Sequence, residues 1–366
     1  MTDGEEALLT SPEVDAVLIA SPTPLPTDTP LPTDTPLPTD TATPEPTATL
    51  VPTDLPPTAR SVDATPLRES MRAGPVESDP LFWRVASRGG ATLYLLGSIH
   101  FGPPAGWRQP DTISRAFEAS SLLVVEVDDR ALTPEQMQAL TLRHALLPPG
   151  ESLADHVSDE TLQQLGAHLA KRGATLADVT SLRPWMVSTF IDLDAMAGLG
   201  LVPETGIDRS YLARVTRQEV IALETAEGQI ELLAGLQPAQ QELALIDALE
   251  QAQDAESVLL ALAEGWRRGD EATLVSVLEE SFDRHPELEP LRQEIIVDRN
   301  RAMAARLAEL ARDAGRVGQQ AFVVVGAAHL VGRDSIVTLL RETGFEVERL
   351  GPGGSAPGAH PSDEED

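Results

Sequence analysis

The chain has 366 residues, of which 42% are hydrophobic, a formal net charge of −31 and no cysteine. The charge argues against nucleic acid and anionic membrane surfaces as partners, because both require basic patches on the protein. The lack of cysteine excludes disulfides, thiolate nucleophiles and cysteine-ligated metal sites, so any metal must be held by His, Asp or Glu. No apolar stretch in the sequence approaches the ~20 residues that a membrane helix needs.

Residues 1–79 are predicted to be a disordered linker rich in threonine and proline. The hexapeptide Thr-Pro-Leu-Pro-Thr-Asp occurs three times between 23 and 40, and proline at this density favours an extended polyproline II conformation. The segment is interpreted either as a stalk that holds a domain off a cell surface or as an inert tail. A stalk favours an extracytoplasmic or cell-surface location, but the acidic N-terminus shows no signal peptide, so the compartment stays open.

Residues 80–352 are predicted to form one α/β domain, followed by a disordered acidic tail at 353–366. The first two strands are separated by a glycine turn and predict a hairpin, which makes the central sheet mixed. A run of apolar residues then indicates a strand that is buried on both faces. The predicted elements are strands Leu81–Val85 and Thr92–Leu96, a helix capped by Asp111 that ends at Ala119, and strand Leu122–Val127.

A mainly helical insertion is predicted at about 131–312, starting with proline in the first turn at Thr133-Pro134-Glu135. A short strand, Val220–Leu223, interrupts it. Flanking helices and a return to strands then complete the domain. The predicted helices of the insertion are 159–171, 185–197, 207–215, 239–263, 270–282 and 288–312, and the closing elements are strand Ala321–Val325, helix Asp334–Thr343 and strand Phe345–Leu350.

Two segments of the sequence repeat one pattern, in which an apolar strand is followed by Gly-x-x-His. Gly97 leads to His100 and Gly326 leads to His329. Glycine at a strand end lets the backbone turn sharply or approach a ligand closely. Ligands of α/β sheets bind beyond the carboxyl ends of the strands, so both histidines are predicted to face a shared crevice rather than to be ordinary loop residues.

Glu126 lies in the apolar run that predicts a buried strand. A buried carboxylate is costly unless it is paired or bound to a cation. The sequence leaves two interpretations open, a salt bridge to a nearby arginine and a place in the same site as the two histidines.

Two further segments supply candidate site residues. Glu224 follows the short strand at 220–223, where it is either a crevice residue or part of an acidic helix start. In the helix 288–312 the predicted core stripe is Leu291, Ile295, Ala302 and Leu310, with Arg299 on the same side. Arg299 is therefore expected to pair with Glu126 or Glu224, to bind an anionic substrate group, or to reach solvent as a snorkelling side chain. Asn300 beside it is a candidate hydrogen-bond donor.

Two histidines and a carboxylate are a suitable ligand set for a divalent metal such as zinc, manganese or cobalt. An open coordination position would lower the pKa of a bound water and supply a nucleophile. The sequence contains no His-Glu-x-x-His helix, no Gly-x-Ser-x-Gly nucleophile elbow, no P-loop and no dinucleotide fingerprint after a strand.

The chain from about Leu81 to Leu350 resembles the TraB/GumN family, which includes the Tiki proteases and the plasmid pheromone-shutdown proteins. The matching pieces occur in the order of the family and cover nearly the whole predicted domain. They are Leu95–His100, Val125–Asp128, Pro203–Asp208, Leu223–Thr225 with Glu227 and Gln229, Trp266–Asp270, Arg299-Asn300 and Val325–Gly332. Ala328 stands where many members have glycine, and the Thr/Pro stalk lies outside the family pattern.

The resemblance implies a fold similar to the erythromycin esterase and ChaN-type α/β proteins. It also implies metal-dependent peptide hydrolysis, an activity that belongs to the animal Tiki branch, with His100, Glu126 and His329 as the family's two histidines and glutamate. In this hypothesis these three bind the metal or act as base, Arg299 and Asn300 orient the substrate or stabilise an oxyanion, and the substrate is a peptide or small molecule. Two alternatives are a module that sequesters a peptide or metal without turnover, and a metal-free hydrolase in which a histidine is the general base.

Overall fold

A six-stranded mixed sheet lies at the centre of the computed structural model, which describes residues 65–86 and 90–350. Within these residues two short strands pair separately from the sheet, and thirteen α-helices surround it. The strands are β1 (Val76–Glu77), β2 (Phe82–Ala86), β3 (Thr92–Ser98), β4 (Trp107–Arg108), β5 (Leu122–Val125), β6 (Glu219–Ala222), β7 (Gln320–Gly326) and β8 (Glu346–Leu350). The helices are α1 (Thr65–Ala73), α2 (Asp111–Ala119), α3 (Pro134–Ala145), α4 (Asp159–Ala170), α5 (Pro184–Gly198), α6 (Ile207–Arg214), α7 (Ala226–Gly235), α8 (Pro238–Gln251), α9 (Ala255–Arg267), α10 (Glu271–Arg284), α11 (Glu289–Arg292), α12 (Arg299–Arg312) and α13 (Ile336–Glu342).

The strand order in the sheet is β6-β5-β7-β3-β2-β8. The four strands β6, β5, β7 and β3 run parallel to one another, whereas β2 is antiparallel to both β3 and β8. This arrangement confirms the predicted α/β class with a mixed sheet, including the hairpin of β2 and β3. Because the four parallel strands point the same way, their carboxyl ends meet at one edge, where a ligand crevice is expected.

The central strands are buried because helices pack over them. All four residues of β5 are buried, as are the last six of β7, which is why their sequences are continuous apolar runs rather than alternating ones. Leu307 of α12 and Tyr211 of α6 are fully buried in the same hydrophobic core. Trp266 of α9 is also fully buried there, and its indole Nε1 donates to the carbonyl of Gly97 at 2.8 Å, which fixes the end of β3.

The helical insertion has a hydrophobic core of its own. Leu165 of α4, Trp185 of α5 and Leu245 of α8 are buried in this second core. Residues from α3 and α8 complete it, so the insertion is stabilised by its own packing. Among the described residues no helix is both long enough and apolar enough to cross a membrane.

Helix α1 and strand β1 lie in the part of the chain that the sequence assigned to the linker. Leu67 and Val76 are 1% and 2% exposed, and β1 pairs in parallel with β4. Strands of two residues show no periodicity, and α1 directly follows a proline-rich stretch, so neither element was predicted. The Thr/Pro repeats and the acidic tail lie outside the described residues, as does most of the predicted turn at 88–90.

Two predicted helix details differ from the structure. Asp111 is the first residue of α2 and not its N-cap; the N-cap position is Pro110, and no side chain among the described residues caps the helix. The predicted helix 239–263 is two helices, α8 and α9, separated by the short connection 252–254. Both differences are at helix ends, where periodicity is least informative.

The predicted core stripe of the helix 288–312 is wrong at Ala302, which is exposed. The residues that α12 buries include Met303 and Leu307 instead. A π-helical segment, Gln293–Asp298, lies between α11 and α12. Its wider turn holds one extra residue, so the apolar face of α12 is shifted by about one position from a regular α-helix.

Candidate functional site

The three predicted central residues follow three neighbouring parallel strands. His100 lies two residues after β3, Glu126 directly after β5, and His329 three residues after β7. Strand β7 lies between the other two, since it pairs with both β3 and β5. The sheet therefore brings together at one edge side chains that are up to 229 positions apart in the chain, as the paired histidine motifs predicted.

The three side chains converge on Gly326. A Cβ atom built on this glycine would lie 3.4 Å from Oε2 of Glu126 and 3.4 Å from Nε2 of His100. It would also lie 3.4 Å from Cδ2 of His329. Gly326 thus leaves a space bordered by both histidines and the carboxylate, and its amide donates to Oε2 of Glu126 at 3.1 Å.

Glu126 is 7% exposed. The groups that contact its side chain are hydrogen-bond donors and cations, which stabilise its ionised form. Its Oε1 accepts hydrogen bonds from Arg299 Nη2 at 2.5 Å and from Gln229 Nε2 at 2.8 Å. Burial on its own would raise the pKa of Glu126. The charges of His329, His100 and Arg299 and the hydrogen bond from Gly326 outweigh burial and lower that pKa to about 2.

His329 is 4% exposed and is oriented by Asn300. The amide Nδ2 of Asn300 donates to the carbonyl of Asp334 at 2.8 Å, so its Oδ1 faces Nδ1 of His329 at 2.6 Å and accepts a hydrogen bond from it. The Nε2 atom then points toward Oε2 of Glu126, 3.8 Å away. Burial lowers the pKa of His329, with the charge of Arg299 acting in the same direction against that of Glu126.

His100 is the accessible member of the group, with 65% of its side chain exposed to the cleft. Its Nδ1 lies 2.8 Å from Oδ2 of Asp208, whose Oδ1 accepts from Ser98 Oγ at 2.8 Å. The surrounding protein would lower the pKa of His100, but the hydrogen bond and charge of Asp208, together with Glu126, raise it to about 9. A carboxylate accepts only, so Nδ1 carries a proton and Nε2 faces the space beside Gly326.

Asp208 comes close to His100 because helix α6 starts against the backbone of the first Gly-x-x-His motif. The amide of Ile207 donates to the carbonyl of Ile99 at 2.9 Å. A Cβ atom on Gly206 would lie 2.5 Å from the carbonyl oxygen of His100, so only glycine fits at this approach.

Arg299 links two carboxylates. Besides Glu126 it binds Glu224, with Nη2 2.7 Å from Oε2 and Nε 2.9 Å from Oε1. The sequence pattern predicted that Arg299 pairs with Glu126 or Glu224, and in the structure it pairs with both. Gln229 Nε2 donates to Glu224 at 2.8 Å as well as to Glu126, which closes the network.

The site opens into a cleft of about 270 Å³. His100, Glu126 and Gln229 line it from one side, and Asp208, Asp129 and Arg209 from the region of α6. The pocket holds polar groups and opens to solvent, as expected for a place where a substrate backbone could enter.

The model of the TraB/PrgY/gumN family matches residues 81–349. This chain belongs to that family. The match includes all six predicted site residues, His100, Glu126, Glu224, Arg299, Asn300 and His329, and it confirms the resemblance drawn from the motifs. The TraB/PrgY/gumN segment begins one residue before β2 and ends within β8, so it corresponds to the six-stranded sheet and its helices.

One curated relative of this TraB/PrgY/gumN chain is the metalloprotease TIKI2 of Danio rerio. The two are 26% identical over 309 residues, which is 71% of this chain and 58% of the relative. The chain therefore spans less than two thirds of the length of the relative it matches. No solved structure matches the chain, so the similarity to erythromycin esterase and ChaN-type folds stays a prediction.

The donor atoms of the predicted metal ligands, His100, Glu126 and His329, do not form a ready-made metal site. In the part of the chain that the structure describes, no three His, Asp or Glu side chains are placed so that they hold a metal ion as they stand. Both histidines nevertheless have Nδ1 engaged by an oxygen acceptor, the arrangement by which proteins present Nε2 to a metal. The space beside Gly326 is bordered by His100 Nε2, Glu126 Oε2 and the imidazole ring of His329.

Three residues of the site were missed as such by sequence reasoning. Asp208 and Gln229 stand in motifs that carry the family resemblance, but an acid in the first turn of a helix is equally typical of a favourable helix dipole contact. Ser98 stands inside the first Gly-x-x-His motif without a predicted role.

Asn300 was predicted to contact substrate, yet both polar atoms of its amide bind protein groups and it is 1% exposed.

Proposed function

We propose that this TraB/PrgY/gumN protein is a metal-dependent hydrolase of peptides. The observation that carries the proposal is the convergence of His100, Glu126 and His329 on the space left by Gly326, with each imidazole oriented through Nδ1. The name of the zebrafish relative, a metalloprotease, supports the same chemistry. The identity of 26% and the partial coverage make peptide hydrolysis by this chain a proposal and not an inherited property.

His100, Glu126 and His329 are the residues that would hold the metal, through Nε2 of the histidines and Oε2 of the glutamate. A zinc, manganese or cobalt ion there would polarise a carbonyl group and lower the pKa of water near neutrality. Two nitrogens and one carboxylate oxygen are donors that such ions commonly accept in proteins, with a further position left for substrate or solvent.

The other residues act on these three side chains. Asp208 and Asn300 hold the Nδ1 protons, so that both Nε2 lone pairs face the same space once His100 is neutral. Arg299 offsets the charges of Glu126 and Glu224, and without it two partly buried carboxylates would repel each other. Gln229 fixes the orientation of Glu126 by occupying Oε1, which leaves Oε2 directed toward Gly326.

The cleft on the side of His100 is the proposed entry for a peptide. His100 is exposed to it while His329 is buried behind, so substrate approaches from the His100 side. Arg209 is a cationic side chain that lines this cleft near Asp208; it pairs with Asp129 at 3.2 Å, so it would reach a substrate carbonyl or carboxylate by exchanging that exposed partner. We assign Asn300 to the positioning of His329 in place of the oxyanion contact expected from the sequence.

The test is metal content together with peptide hydrolysis, measured on the full chain, on His100→Ala and on His329→Ala. We expect about one equivalent of metal in the parent protein and its loss in both variants, with hydrolysis lost in parallel. His168→Ala is the matched control, since His168 lies in α4 of the helical insertion, and it should keep both metal and activity. A parent protein that hydrolyses peptides without metal and in the presence of chelator would overturn the metal-dependent mechanism.

A metal-free hydrolase is the second candidate, because Glu126 is already paired. Its two oxygens accept from Arg299, Gln229 and the amide of Gly326, which leaves this carboxylate balanced without a metal. Burial lowers the pKa of His329, which favours the neutral form that a general base requires. Activity that survives complete metal removal but is lost in His329→Ala would favour this candidate, whereas peptide binding without turnover would favour a sequestering module.

A further inference from the structure

A second cavity, of about 490 Å³, lies within the helical part of the molecule and outside the cleft described above. It is bordered by helices α5, α8, α9, α10 and α11, by the π-helical segment before α12, and by Asn300 and residues of the segment 328–334 that follows β7, so one of its walls is shared with the support of His329. We call it the helical cavity. Its volume is in the range of cavities that hold small organic ligands, and none of its lining residues lines the cleft of His100.

The walls of the helical cavity are mainly aliphatic. They include Ile191, Leu259, Leu278, Leu291 and Ile295. Apolar surface of this kind is stabilised when an apolar group displaces water from it. The walls therefore favour an occupant with an aliphatic body.

The charged side chains that line the helical cavity are unbalanced. Among the described residues they comprise four carboxylates and one guanidinium, which are Asp192, Asp247, Glu279, Asp334 and Arg292. Arg292 is 5% exposed and already binds both Glu279, at 3.2 Å, and Asp334, at 3.0 Å. The negative charge that remains lies at the α5–α8 side of the cavity.

Asp247 has its own partners on that side. Its Oδ2 accepts from Gln251 at 2.6 Å and its Oδ1 from Arg284 at 3.3 Å. Asp192 differs: it is exposed, and its carboxylate has no hydrogen bond or ion pair to another described residue. The protein around it and the nearby charge of Asp247 raise the pKa of Asp192 to about 6, as is typical of a carboxylate without a compensating cation.

We propose that the helical cavity binds an amphipathic amine, whose aliphatic chain packs between α5, α8, α9 and α10 and whose ammonium group pairs with Asp192. A hydrated metal ion fits this cavity poorly, because three of its four carboxylates are already paired with arginines and the rest of the wall is mainly aliphatic. An anion is disfavoured by the excess of carboxylates. An ammonium group donates three hydrogen bonds and supplies the positive charge that Asp192 lacks.

Isothermal titration calorimetry of the full chain tests whether the cavity binds an amine. The three probes share one chain length and are n-octylammonium, 1-octanol and octanoate, each used below its critical micelle concentration. We expect n-octylammonium to bind roughly tenfold more tightly than 1-octanol, a difference within the contribution of one charged hydrogen bond. Octanoate should bind more weakly than 1-octanol. Equal binding of the three probes, tighter binding of octanoate, or no saturable binding of n-octylammonium contradicts the proposal.

Variants locate the two ends of the ligand. Asp192→Asn should weaken n-octylammonium binding about tenfold and leave 1-octanol unchanged. Asp194→Asn is the matched control on the same helix, since Asp194 pairs with Arg172 and does not line the cavity, and it should change neither. Ala195→Leu, which places a larger side chain in the wall, should weaken both probes. If Asp192→Asn and Asp194→Asn affect n-octylammonium equally, the ammonium group does not bind at Asp192 and the proposal fails.

Discussion

Nδ1 of His100 lies 2.8 Å from Oδ2 of Asp208, a residue on a different element and 108 positions further along the chain. The other oxygen of Asp208 is held by Ser98, two residues before His100. His329 has the same kind of support from Asn300. The site therefore consists of two imidazoles with fixed ring orientations, one held by a carboxylate and one by an amide.

Asp208→Ala is expected to lower metal affinity by roughly ten- to a hundredfold, since a histidine ligand that loses its Nδ1 acceptor loses both orientation and basicity. Asp208→Asn should have a smaller effect, because an amide oxygen still accepts from Nδ1 but carries no charge. Competition with a chromogenic chelator measures the affinity. Asp129→Asn removes one charge from the same cleft at a residue that pairs with Arg209. If Asp129→Asn and Asp208→Ala lower the metal affinity equally, Asp208 contributes only its negative charge to the cleft and does not orient His100.

Gly326→Ala is expected to abolish metal binding while leaving the fold nearly as stable. Gly326 has a φ of −50°, which alanine adopts without strain, and the added methyl group would meet three site atoms at 3.4 Å, an ordinary contact distance. The methyl would then occupy the space in which the ion is proposed to sit. Metal analysis and urea unfolding measure the two effects. Gly198→Ala, with nothing within 4 Å of the new methyl, is the control, and full metal retention in Gly326→Ala would place the ion elsewhere.

Arg299→Ala is expected to cost about 3–5 kcal/mol of stability, because it leaves Glu126 and Glu224 partly buried without a counter-charge. Urea unfolding at neutral pH measures it. Arg301→Ala on the same helix breaks an exposed pair with Asp298 and should cost only about 0.5 kcal/mol. Adding Glu224→Gln to Arg299→Ala should recover part of the loss. A cost for Arg299→Ala as small as that for Arg301→Ala would show that the network contributes little to the fold.

Asp192→Asn is expected to stabilise the protein above pH 6, on the order of 1 kcal/mol after allowance for solvent access to the cavity. The folded-state pKa of Asp192, about 6, is above its ordinary value of 3.8. The folded protein therefore binds the proton more tightly, and ionisation of Asp192 costs stability as the pH rises from about 4 to about 6. The gain from Asn should be full above that range and disappear below it. Unfolding curves at pH 4 and pH 7.5 test this, and a gain of equal size at both would exclude ionisation as its cause.

The central strands and the paired motifs were predictable from the sequence because their information is local. Leu122–Val125 and Ala321–Val325 are continuous apolar runs, and only a strand covered on both faces explains such runs next to turn residues. The two Gly-x-x-His motifs follow strands, and parallel strands end at the same edge of a sheet. Local pattern together with this one topological rule was enough to place His100, Glu126 and His329 together.

The contacts that orient those side chains were decided by the tertiary structure. Nothing in the sequence around Asp208 distinguishes a partner of His100 from an ordinary first-turn acid, because the bond exists only once α6 starts against the first motif. Arg299 faces both Glu126 and Glu224 because the sheet places β5 beside β6. The burial of Met303 in place of Ala302 follows from a π-helical turn that periodicity does not reveal. Hydrophobic pattern determines which residues are buried in each element, whereas the pairing of polar groups depends on long-range packing that one-dimensional pattern does not contain.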